Sequence, residues 1–210
     1  MVVIVMFKVL LLDNVMNIWP MIVLITVIVS SFRIAYLIKY NKKLVFHREL
    51  LALIFMIYIL CLYYVVTYQD VNYGGVNLVP FKEMFRYSFG SPKFVKNVVG
   101  NILMFLPFGF FVSYYLKANK VGYPLVLTLI VSLTIELVQL KIGRVFDIDD
   151  VILNVVGGFC GFLIYVALSA IESRLPKFMK RDSFINFIFI LILCIILIYS
   201  FNIDVIGWFR

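Results

Sequence analysis

Residues 144–171 read RVFDIDDVILNVVGGFCGFLIYVALSAI. From Val151 to Ile171 no side chain is charged, and at about 1.5 Å per residue a helix of that length covers the roughly 30 Å of a bilayer's hydrocarbon core. The segment therefore reads as a membrane span. Its entrance is crowded by Asp147, Asp149 and Asp150, carboxylates that cap free N–H groups and favour the positive end of the helix macrodipole. Asp150, Asn154, Gly157 and Gly161 then fall at helical spacing on one stripe. Its upper part is polar, and its lower part is a small-xxx-small face that lets another helix approach closely. Such a stripe points into a bundle rather than at lipid.

The rest of the chain fits this reading. Of 210 residues 64% are hydrophobic and 14% charged, with a mean hydropathy of +1.08, against roughly half and a quarter in soluble domains. Apolar runs predict about six membrane-spanning helices near Ile18–Ile38, Leu50–Tyr68, Val98–Leu116, Tyr123–Leu140, Val151–Ile171 and Phe184–Phe201. The expected fold class is an all-α, polytopic transmembrane helical bundle. It divides into an N-terminal interfacial segment with two spans (1–69), an external link with three spans (70–171), and a C-terminal link with the last span (172–210). The segment MVVIVMFKVLLL before Asp13 is too short to cross a bilayer, so an interfacial or partly inserted placement is expected.

The net charge of +8 belongs to links between spans and leaves no folded basic face for nucleic acid. Its expected partners are membrane lipids. Lys39, Lys42, Lys43 and Arg48, then Lys117 and Lys120, then Arg174, Lys177, Lys180 and Arg181 occupy alternate links, which the positive-inside rule makes cytoplasmic. The acidic entrance at 147–150 then faces the extracytoplasmic side of a bacterial plasma membrane. Cys61, Cys160 and Cys194 sit in apolar runs and read as buried free thiols. His47, the sole histidine, stands in a basic link without metal-ligand partners.

Three spans carry polar chemistry at one shared end. Thr128, Ser132, Glu136 and Gln139 form a stripe on the fourth span. Asn97 and Asn101 open the third, in which Pro107 is expected to produce a kink. Asn77-Leu78-Val79-Pro80-Phe81, just before it, reads as a re-entrant or interface-lying element. Glu136 and Asp147 have Arg144 and Lys141 as nearby cationic partners. The carboxylates at 136, 147, 149 and 150 outnumber those two cations and leave an acidic excess.

NLVPF (77–81), NILMFLPFGFF (101–111), SLTIELVQL (132–140) and RVFDIDDVILNVVGGFCG (144–161) together resemble the VanZ-like family of bacterial integral membrane proteins. The resemblance covers about residues 70–170 and carries over Asn77, Pro80, Phe81, Asn101, Pro107, Gly109, Glu136, Gln139, Arg144, Asp147, Asp149, Asp150 and Asn154. The family's namesake gives low-level teicoplanin resistance. The resemblance therefore implies a cell-envelope factor linked to glycopeptide resistance or tolerance, with an outward-facing acidic pocket for a lipid-linked or peptidoglycan-related ligand. Those residues other than Gly109, with Asn97, are the candidate pocket. Arg144 offers bidentate binding to phosphate or carboxylate. Glu136, Asp147 and Asp150 are the candidates for catalysis and for holding a divalent cation through oxygen ligands. They sustain an alternative reading as an intramembrane, metal-assisted hydrolase or transferase with Glu136 as general base. A transporter or channel is the weaker alternative, because the polarity gathers at one end.

Overall fold

A backbone in lipid must satisfy its own N–H and C=O groups, so the apolar runs become helices. The computed structural model describes residues 2–67 and 75–200, with side chains over 17–67 and 75–196. Among the described residues there are six long helices: α1 (Val2–Lys39), α2 (Phe46–Thr67), α3 (Pro92–Leu116), α4 (Gly122–Lys141), α5 (Ile148–Arg174) and α6 (Asp182–Ser200). The first five contain segments long and apolar enough to cross a membrane, and the described apolar part of α6, Asp182–Ile196, is shorter. The architecture is an all-α transmembrane bundle. Two three-residue strands, β1 (Gly75–Asn77) and β2 (Val145–Asp147), are the only sheet among the described residues. Tyr68 and Phe201, expected at span ends, lie outside the described residues.

Two expectations need correction. The N-terminal residues are not a separate element: the helix continues from Val2 to Lys39 through Asp13-Asn14 and Pro20. No glycine interrupts it there. The third span begins at Pro92 rather than near Val98, with Pro at its first position, a Ser91 side-chain cap, and a π turn over Val95–Val99. From Gly100 it runs unbroken to Leu116 through Pro107. Pro107 removes the donor that Leu103 would use, and the Tyr58 hydroxyl of α2 donates to the adjacent Met104 carbonyl at 2.8 Å. The NLVPF segment enters through β1, which pairs in parallel with β2 in the register Gly75↔Val145, Val76↔Phe146 and Asn77↔Asp147. A turn and a short 3-10 helix (Met84–Arg86) follow.

The centre of the bundle is the α3–α5 contact. Gly157 and Gly161 of α5 lie against the backbone of Ile102 and of Leu106 and Phe110, and Gly109 of α3 meets Gly158 main chain to main chain. The expected small-residue face is therefore a helix-packing face. α4 lies on the same helix, with Thr128 against Gly158. α2 adds Leu62 and Val66 to a core with Phe105 and Phe108.

α1 and α6 lean on α2 through polar contacts at the other end. Arg33 makes a bidentate pair with Glu49 (2.9 and 2.8 Å), and Arg48 reaches Asp182 at 3.2 Å. His47 is buried, and Asn186 Oδ1 accepts from both its backbone N–H (2.9 Å) and its Nδ1 (2.8 Å). This histidine joins α2 to α6. Asn186→Leu strands both donors, and an unsatisfied buried polar group costs about 1–3 kcal/mol. The expected result is faster proteolysis in the 175–181 link with the α3–α5 core intact. Unchanged cleavage rates would remove the clamp from the account.

Candidate functional site

The polar groups read from the sequence converge where the C-terminal end of α4 meets the N-terminal end of α5. Helical spacing on α4 turns Thr128, Ser132, Glu136 and Gln139 inward, and all four are buried, Glu136 to 1% exposure. Two residues after the helix, Gly143 adopts a left-handed conformation (φ 86°). The chain then enters β2, whose pairing with β1 returns it to the bundle.

This return places Asp147 beside Glu136. The backbone N–H of Asp147 donates to Glu136 Oε2 at 2.9 Å. Asp147 is also the N-cap of α5: its Oδ1 accepts from the Asp149 N–H at 2.9 Å and from Asn77 Nδ2 at 3.1 Å. Burial raises the Asp147 carboxyl above the ordinary aspartate range. The Asp149 N–H and the Asn77 amide oppose that shift, and the Asp149 and Glu83 carboxylates add to it.

Gln139 links Glu136 to Arg144. With its amide nitrogen donating to Glu136 Oε1 (3.0 Å), its oxygen accepts from Arg144 Nη1 (2.5 Å). Arg144 Nη1 also donates to the Val66 carbonyl of α2 at 3.3 Å. The sequence-level pairing of Glu136 or Asp147 with Arg144 or Lys141 is not what forms. Among the described residues no ion pair involves this cluster. Neutral amides and backbone N–H groups hydrogen-bond the carboxylates instead.

Asp149 shows this best. It is 1% exposed, and its carboxylate turns away from the others toward the segment after NLVPF. Oδ1 accepts from the Phe81 N–H, and Oδ2 accepts from those of Glu83 (2.8 Å) and Met84 (3.1 Å). Phe81 takes a left-handed φ of 66°, which directs successive N–H groups to one point in the manner of an anion-binding nest. Pro80, exposed, initiates this turn. The third aspartate therefore shapes a loop.

Asp150 is different. It is partly exposed, and among the described residues its carboxylate makes one side-chain hydrogen bond, from Asn101 Nδ2 at 2.5 Å. One turn deeper, Asn154 donates to Ser132 Oγ at 2.9 Å, while its Oδ1 is buried without a partner. Asn97 stands in the π turn and makes no hydrogen bond to the cluster. Pro107 and Gly109 lie deeper along α3, where Gly109 serves packing. Among the described residues no three His, Cys, Asp or Glu side chains gather as a metal-holding group. Glu136, Asp147 and Asp150, the sequence-level cation candidates, each spend oxygens on N–H donors.

Sequence reasoning missed the Val66 carbonyl, Tyr58 and the amides of Glu83 and Met84. Backbone groups carry no residue signature, and Tyr58 has a spacing signal only once Pro107 is known to stay helical.

A family model for VanZ/LLP1 matches residues 50–169, more than half of the chain. The chain belongs to the VanZ/LLP1 family. The VanZ/LLP1 match begins at α2, which the sequence motifs left outside the family core. α2 is where Arg144 and Met104 find their partners. Protein VanZ of Enterococcus faecium is 29% identical over 154 residues, covering 71% of this chain and 86% of that protein. No solved structure gives a significant match.

Proposed function

We propose that this chain is a cell-envelope factor contributing to tolerance of teicoplanin-type glycopeptides. In this reading Asp150 is the point at which a polar group of a lipid-linked or peptidoglycan-related ligand is held. The support from relatedness is family membership together with similarity to Protein VanZ. The observation that carries the site assignment is the division of labour among the acidic groups. Glu136, Asp147 and Asp149 each accept from a backbone N–H, whereas the one side-chain partner of Asp150 among the described residues is the Asn101 amide. A carboxylate with free lone pairs at a helix entrance accepts from ammonium, hydroxyl or amide N–H groups. Arg144, fixed by Gln139 and Val66, sets a cationic group on the same rim.

The extracytoplasmic placement rests on the other end of the bundle. The links 39–48, 117–120 and 174–181 join the helices at that end and carry its basic residues, with Arg48 paired to Asp182, and such links favour the cytoplasm.

Asp150→Ala tests the proposal in a glycopeptide-sensitive bacterial host. A hydrogen bond to a charged group is worth about 1.5–3 kcal/mol, so its loss lowers teicoplanin tolerance by roughly tenfold or to the level of the empty host. The amount of protein in the membrane stays the same. Full tolerance at equal protein level overturns the assignment.

A further inference from the structure

The loop held by Asp149 carries the most exposed aromatic side chains of the described protein. Phe85 is 83% exposed and Phe89 92%. Leu78 and Val79 stand out beside them at 64% and 58%. A flexible loop hides such groups; this one is fixed. Three N–H groups are tied to the buried Asp149, and the Phe81 ring lies tilted against Phe85 at 6.4 Å between centroids, as Phe89 does against Phe94 at 5.1 Å. The apolar side chains are therefore displayed rather than accidentally uncovered.

Basic residues are interleaved with them. Between residues 75 and 97, Lys82, Arg86, Lys93 and Lys96 stand against Glu83 alone among acidic side chains. Lys82, Lys93 and Lys96 are exposed with no ion pair among the described residues, and Arg86 holds Glu83 at 3.0 Å. The loop leaves the end of one span, α2, and enters another at Pro92, so it lies at the membrane edge. Aromatic rings with cationic neighbours at that depth have one natural solvent, the headgroup region of a bilayer containing acidic lipid.

We propose that residues 78–89 form a fixed interfacial anchor, with Phe85 and Phe89 in the headgroup–acyl boundary and Lys82 and Arg86 on acidic phospholipid headgroups. The anchor is a lipid-binding surface separate from Asp150. It reaches the acidic cluster through Asn77 and Asp147, so the bilayer sets the height of that rim.

The test uses the full chain in nanodiscs, with Phe85→Trp in a background of Trp19→Phe and Trp208→Phe. The new indole should emit as a buried fluorophore and be quenched by phospholipid brominated near the glycerol end of its chains. Basic residues near an anionic surface favour binding by about fivefold each. Brominated phosphatidylglycerol should accordingly quench severalfold better than brominated phosphatidylcholine at equal mole fraction. Lys82→Gln with Arg86→Gln should abolish that preference without moving the indole into water. Water-like emission overturns the anchor. Buried emission that neither lipid quenches also overturns it, in favour of a protein partner, and equal quenching by both lipids overturns the acidic-headgroup assignment. Hydroxyl-radical footprinting of the unsubstituted chain in the same nanodiscs gives an independent reading. Phe85 and Phe89 should be protected, and oxidation at the rate of solvent-exposed phenylalanine counts against the anchor.

Discussion

Asp149→Ala destabilises the protein by about 3 kcal/mol or more, the largest loss from any single carboxylate of the rim. The carboxylate is 1% exposed and accepts from the N–H groups of Phe81, Glu83 and Met84. Each donor left without a partner costs about 1–3 kcal/mol while it stays buried. Part of that cost is recovered as the loop opens to water, which keeps the total below the simple sum. Asp149→Asn retains the shape and one acceptor oxygen and falls between alanine and the native residue. Asp150→Ala, at a partly exposed position with one amide partner, costs less than either. Thermal unfolding of the detergent-solubilised protein ranks the three variants. Hydrogen exchange at the amides of 81, 83 and 84 locates the damage. Native exchange rates at those amides in Asp149→Ala would show that the carboxylate does not hold the loop. The comparison also separates two routes to lost tolerance: an Asp149 variant loses it by losing the loop, an Asp150 variant while still folded.

The contrast between these neighbours marks how far the sequence could be read. Period and burial were legible: the stripe of Thr128, Ser132, Glu136 and Gln139 on α4, and that of Asn154, Gly157 and Gly161 on α5, face inward as their spacing requires. Helical periodicity is a local property, and lipid enforces it. The direction of Asp149 was not legible. It sits between two cluster residues in sequence, and only the β1–β2 pairing across some seventy residues brings the loop amides to it. Strands of three residues give no alternation to detect, and backbone donors have no residue type. Charge counting misled for the same reason. It named Arg144 and Lys141 as the partners of Glu136 and Asp147, whereas the hydrogen bonds to the acidic cluster come from main-chain N–H groups and the amides of Asn77, Asn101 and Gln139. Pro107 illustrates a different limit. Its effect on α3 depends on what replaces the lost hydrogen bond, and a tyrosine from another helix lies beside the gap.

Gly109→Ala is expected to be among the costliest one-carbon additions within the described residues, because the added methyl would land on main chain. A Cβ at Gly109 falls within 2.6 Å of Gly158 Cα and closer still to the Gly158 carbonyl oxygen. No rotamer change relieves such a clash, so α3 and α5 must separate, and the close packing that joins helices in lipid is lost along the whole seam. Overpacking a core costs about 1–3 kcal/mol when side chains can yield, and here none can. Gly161→Ala, facing Phe110 N at 2.6 Å and the Leu106 carbonyl, belongs to the same class. Gly158→Ala meets the Thr128 side chain instead. It is the milder change, although Thr128 is itself held by its bond to the Pro124 carbonyl at 2.8 Å. Gly122→Ala, with nothing within 4 Å, stays within about 0.5 kcal/mol of the native protein. Membrane accumulation and unfolding temperature should therefore order the variants as Gly122, Gly158, then Gly109 and Gly161. The Gly109→Ala/Gly161→Ala pair should lose less than the sum of its parts, since one separation of α3 from α5 accommodates both methyl groups. Equal unfolding temperatures for Gly109→Ala and Gly122→Ala would mean that the helices do not touch at this point. The acidic rim would then need another means of keeping Asn101 against Asp150.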